Sequence, residues 1–132
     1  MANKETMIFI FLISLFSTFA IVRFWAHIGH DMNMYGTRHE SSKTLTGWLR
    51  KKTGFDWHHI HFGIIIFIIA SFWIYFSKVS SINISLLGVG LSMILDQISP
   101  LLNMGNYFSK KMIFVALLLH IITASIAIKI LN

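Results

Sequence analysis

Four apolar runs, at residues 7–26, 58–77, 82–102 and 112–131, constrain this chain more than any other feature. A helix needs roughly 20 residues to cross about 30 Å of hydrocarbon, and each run meets that length. No water is present in the bilayer to bond exposed backbone groups, so such runs must fold as helices. The spacing predicts a single all-α domain over residues 1–132, an antiparallel bundle of four transmembrane helices with a polar, part-helical first loop. Composition agrees, with 55% apolar and 12% charged residues and a mean hydropathy of +0.70.

The charge pattern sharpens this reading. A net charge of +6 suits nucleic acid in a soluble chain, but these bases sit in short loops beside spans, where anionic lipid headgroups are the expected partner and nucleic acid is not. The first and third loops carry Arg23, Arg38, Lys43, Arg50, Lys51, Lys52, Lys110 and Lys111, against Lys4, Lys78 and Lys129 on the other side. The excess of bases predicts cytoplasmic first and third loops, both termini outside, and a multi-pass protein of the cell membrane. Arg23 and Trp25 mark the end of the first span and are expected at headgroup level. That span reads as an anchor and not a secretory signal, because Glu5 beside Lys4 leaves the region before it barely basic. Cysteine is absent, which excludes disulfides, thiolate metal sites and a thiol nucleophile.

The stretch 27–57 is the only substantial polar region. Within it Ser42 is placed to cap a short helix whose Leu45, Trp48 and Leu49 form an apolar face, while Arg50, Lys51 and Lys52 bind headgroup phosphates. The alternative is an unstructured basic linker. Short connections make the later helices antiparallel neighbours.

Ionisable groups inside the spans point to function. Asp56-Trp57-His58-His59-Ile60-His61-Phe62-Gly63 opens the second span with three imidazoles, costly in hydrocarbon and ready metal ligands or proton carriers. Asp56 is the expected N-cap of that span. Gly63, Ala70 and Ser77 form a small-residue stripe in line with His59, which turns His59 toward the bundle and leaves His61 nearly opposite. His27, His30 and Asp31, at i, i+3 and i+4, share a face with Arg23 if the first helix continues past Trp25.

Asp96 is the sharpest residue. A carboxylate within a span costs about 2.5 to 3.5 kcal/mol even on the lenient insertion scale, so it requires a partner. Gly88, Ser92 and Ser99 share its helical face, and small residues mark the face a membrane helix presents to its neighbours. Pro100 has no N–H, so the carbonyl of Asp96 loses its helical donor. His120 lies on a face with Ala116, Thr123, Ala124 and Ala127, which also turns it inward. By depth, these groups form one polar column descending from the cytoplasmic boundary to the midplane.

Two functions are expected from such a column. One is a metal-dependent enzyme acting on a membrane lipid, with His58, His61 and Asp96 as ligands of a divalent zinc or iron ion and His27, His30 and Asp31 as a second subsite. The alternative is a proton- or cation-conducting element, or an accessory structural subunit of a larger membrane complex, with His59 and His120 as relay groups. Four short helices are few for an independent transporter, so a homo-oligomer or a larger assembly is expected. Haem is disfavoured, because His120 has no second histidine at its depth on a facing span.

Two resemblances accompany these readings. His27-Ile28-Gly29-His30 and residues 56–61 resemble in outline the histidine boxes of membrane di-iron desaturases and hydroxylases, although the isolated His39 and mid-helix His120 depart from that pattern. Trp57-His58-His59-Ile60-His61-Phe62-Gly63 opening one span, with Leu95-Asp96-Gln97-Ile98 closing the next, resembles small integral membrane proteins of archaeal type. That second resemblance covers two spans and implies a shared four-helix unit, with no activity attached.

Overall fold

In a computed structural model, which describes residues 3–31, 45–53, 58–101 and 107–131, the described residues form five helices. They are α1 (Lys4–Asp31), α2 (Leu45–Thr53), α3 (His59–Phe76), α4 (Ser81–Leu101) and α5 (Lys110–Leu131). Four of them, all but α2, are long and apolar enough to cross a membrane. Among the described residues there is no strand, and the all-α four-helix bundle expected from the apolar runs is what forms.

Local chemistry sets the helix starts. Asn3 caps α1 by accepting the N–H of Thr6 at 2.7 Å. Ser80 and Asn83 cap α4 reciprocally: the Ser80 N–H donates to Asn83 Oδ1 at 2.8 Å and the Asn83 N–H to Ser80 Oγ at 3.4 Å. The fully buried Asn83 also donates from Nδ2 to the Lys78 carbonyl at 3.1 Å, so the tight α3–α4 turn leaves that amide satisfied. Ser109 accepts the N–H of Met112 at the start of α5. For α3 the N-cap is His58, with its N–H donating to Nδ1 of His61 at 3.0 Å. The cap expected at Asp56 is thereby corrected, since the chain turns helical two residues later; Asp56 itself lies outside the described residues, as do Ser42 and His39.

α4 is the central helix. It packs on α3, α1 and α5, and α1 also packs on α5. Two of its glycines permit this closeness. A Cβ at Gly88 would stand 2.9 Å from the Phe11 carbonyl oxygen of α1, and one at Gly90 would stand 2.6 Å from the Phe67 nitrogen of α3. Gly63 of α3 meets the same seam, where a Cβ would lie 2.7 Å from Met93 Cβ. Small residues thus bring helix backbones together where lipid supplies no hydrophobic drive for association. Contacts of Gly88 with residues 11 to 15, and of Arg23 with Asp96, make α1 and α4 parallel. Gly63 against Met93, and His59 against Asp96, make α3 and α4 antiparallel.

Burial follows the membrane setting. Phe11, Leu15, Leu95 and Ala124 form the interhelical core. Ile65, Ile69, Phe72 and Trp73 on α3 lie on its outer surface, which lipid covers in a spanning helix. Polar groups share the interior with that core: Arg23, Asn83, Ser92, Asp96 and His120 are all buried.

Candidate functional site

Three polar levels lie along one face of α4, at Ser85, Ser92 and Asp96, spaced by seven and four residues so that they stack on one stripe. Each level engages a different set of helices. Ser85 meets Ser14 of α1 with hydroxyl oxygens 2.8 Å apart. Ser92 meets Nε2 of His120 of α5 at 2.9 Å. Asp96 meets α1, α3 and the turn before α5 together.

The fully buried Asp96 carboxylate accepts from three side chains. Arg23 Nε donates to Oδ1 at 2.5 Å, while Tyr107 Oη at 2.6 Å and His59 Nε2 at 3.0 Å approach Oδ2. Each nitrogen of the guanidinium has an acceptor. Its Nη1 donates to the Tyr107 carbonyl at 2.7 Å, and its carbon lies 3.9 Å from the centre of the Tyr107 ring. Its Nη2 reaches the Asp96 carbonyl at 3.5 Å, the oxygen that Pro100 deprives of a helical donor. A single arginine therefore serves both the side chain and the loosened backbone of Asp96. Charges buried together need this degree of satisfaction to be tolerated.

His59 is the outer member of the group. Its side chain is 25% exposed, whereas that of Asp96 is 0% exposed. The imidazole thus bridges an accessible edge and a closed interior. One helical turn deeper, about 6 Å along α4, the His120 ring lies 4.5 Å from the Phe19 ring at a 43° tilt and bonds the Ala116 carbonyl through Nδ1 at 2.7 Å. A carbonyl only accepts, so Nδ1 carries the hydrogen, and in the neutral ring Nε2 accepts from the Ser92 hydroxyl.

The residues singled out from sequence distribute unevenly around this centre. Asp96 and His120 face inward as their small-residue neighbours imply, and the imidazole that meets Asp96 is that of His59. His58 and His61 stand at the start of α3 with rings 6.2 Å apart. His27 packs edge-on against Phe108 at 5.6 Å. α1 does continue past Trp25 to Asp31, but the side chains of His30 and Asp31 lie outside the described residues, as does that of Arg50. Among the described residues, no three His, Asp or Glu side chains converge as metal ligands would.

Two members were not foreseen. Arg23 was expected at headgroup level, yet it is 5% exposed and is the counter-charge of Asp96. The signal was available: Arg23 lies eight residues after Leu15 and three before Ala26, both buried, so it falls on the inward stripe of α1. Tyr107 sits in a turn with no periodicity to mark it. Ser92, read as a packing residue, is also a hydrogen-bond partner of His120.

Compared with protein-family models, with curated proteins and with solved structures, the chain matches none, so its membrane-spanning architecture and its polar centre are the ground for any functional reading.

Proposed function

We propose that this multi-pass membrane protein moves protons through the His59–Asp96 centre, acting as a homo-oligomer or as a subunit of a larger membrane complex. The observation that carries this reading is the bond from a quarter-exposed imidazole to a wholly buried carboxylate. His59 can take a proton from water on Nδ1 while its Nε2–H passes to Oδ2 of Asp96, leaving a neutral imidazole and a carboxylic acid. The Ser92–His120 pair and then the Ser14–Ser85 pair continue the polar stripe inward in steps of about 6 and 10 Å along α4, which call for intervening waters. The excess of bases in the first and third loops supports a cytoplasmic position for the His59 mouth.

A metal-dependent lipid enzyme fits this donor set less well. Both Asp96 oxygens accept bonds from neighbouring donors, and a divalent ion there would face the Arg23 guanidinium. A second reading, that the centre only clamps helices, is favoured by the same saturation of Asp96.

Proton uptake into liposomes carrying the purified protein separates the two. Relay predicts flux in the parent, its loss in Asp96→Asn and His59→Gln, and its retention in Lys129→Gln. Flux absent from the parent, or undiminished in a folded Asp96→Asn variant, would leave the clamp.

A further inference from the structure

Outside the polar centre, α2 groups an aromatic side chain with bases that the centre does not use. This nine-residue helix carries Trp48, Leu49, Lys51 and Lys52. Trp48 is 49% exposed, Lys51 and Lys52 are exposed, and Lys52 Nζ lies 5.1 Å from the centre of the Trp48 ring. Among the described residues, α2 packs on none of the spanning helices, and neither lysine is paired with a carboxylate.

Its position is limited by covalent reach. Thr53 and His58 are five residues apart, so the end of α2 lies within about 18 Å of the start of α3. That start is where the second span leaves the hydrocarbon. A short helix held at this level meets headgroups on one side and acyl chains on the other.

We propose that α2 lies in the headgroup layer and binds the phosphates of anionic phospholipids through Lys51 and Lys52, with Trp48 as its apolar anchor. Charge complementarity selects this partner: two exposed ammonium groups, neither paired with a carboxylate among the described residues, stand beside a surface that carries negative charge. The indole belongs at the interface, and the exposed Lys52 keeps its ammonium over the ring at that level. The cation over the ring holds the base and the anchor in one unit. The proposal is independent of proton transfer, because it uses no residue of the Asp96 centre.

The test uses the full chain in nanodiscs of phosphatidylcholine with a minor fraction of phosphatidylglycerol. The readout is the ratio of the two lipids retained after gentle detergent extraction. The parent should enrich phosphatidylglycerol over the bulk ratio. Lys51→Gln and Lys52→Gln should each lower that preference roughly fivefold, the scale for one base at an anionic surface. Lys52→Arg and Lys129→Gln should keep it, and raised salt should erode it in the parent. Enrichment unchanged in the Lys51→Gln/Lys52→Gln double variant would overturn the proposal. Displacement of the lipid by soluble glycerol phosphate at equal concentration would also overturn it, since the site would then read free phosphate and not a membrane.

Discussion

Arg23 and Asp96 stand 73 positions apart in the chain and meet inside the bundle, with Nε 2.5 Å from Oδ1 and both side chains almost wholly buried. The contact joins two parallel helices, whose aligned dipoles offer no attraction of their own, so the register of α1 on α4 rests on specific contacts. Three such contacts lie along the seam: Ser14 with Ser85, Gly88 against the backbone of Phe11, and Arg23 with Asp96. His59 adds α3 to the last of these, and Tyr107 adds the turn before α5. One carboxylate is thus the meeting point of three spans and of the turn that leads into the fourth.

The Ser14–Ser85 contact gives a direct check on that register. The natural chain has no cysteine, so a Ser14→Cys/Ser85→Cys variant carries a single possible pair. Its sulfurs replace hydroxyls that lie 2.8 Å apart, and mild oxidation should cross-link it within the monomer. Mobility on a denaturing gel reads the outcome. A Ser17→Cys/Ile82→Cys pair, both positions being exposed, should stay reduced under the same conditions.

Close approach at the α3–α4 seam predicts sensitivity to a single methyl group. In Gly90→Ala the new Cβ would meet Phe67 N at 2.6 Å and Gly63 O at 2.8 Å, both backbone atoms that no rotamer change can move aside. Overpacking of this kind costs about 1 to 3 kcal/mol. Unfolding in micelles should show such a loss for Gly90→Ala and for Gly63→Ala. Ile69→Ala, on the outer surface of α3, should change stability by much less.

The Ser92–His120 pair predicts a tautomer. Because Nδ1 faces the Ala116 carbonyl at 2.7 Å, nitrogen chemical shifts should report hydrogen on Nδ1 and an unprotonated, bonded Nε2 in the neutral ring. Ser92→Ala leaves that buried acceptor without its donor, a loss of about 1 to 3 kcal/mol. The signature of the missing bond should appear at His120 Nε2 while Nδ1 stays unchanged.

The fold was legible because bilayer thickness acts on chain length directly, and runs of about 20 apolar residues have few alternatives. α1 runs past its apolar stretch to Asp31 because a helix needs no hydrocarbon around its last turn. Asp96 was legible for a related reason: a lone carboxylate among apolar residues advertises a buried partner. The partner was harder to see. Arg23 lies near a span end, where bases ordinarily sit among headgroups, and only its alignment with Leu15 and Ala26 distinguishes it from a surface anchor. The choice among three clustered imidazoles turned on helical phase. The small-residue stripe through Gly63 and Ala70 identified His59, while metal-ligand spacing had drawn attention to His58 and His61. Tyr107 carried no signal, since a turn residue has no period by which to place it.

The polar centre depends most on the pairing of Arg23 with Asp96, and a double-mutant cycle in reversible micelle unfolding tests that pairing most directly. Arg23→Met and Asp96→Leu should each destabilise by about 3 to 5 kcal/mol, because each leaves a buried charge without its counterpart. Combined, they remove both charges, and the double variant should be more stable than the sum predicts by at least about 1 kcal/mol. Losses that add to within about 0.5 kcal/mol would contradict the account, because the two residues would then not interact and the centre built around them would not exist.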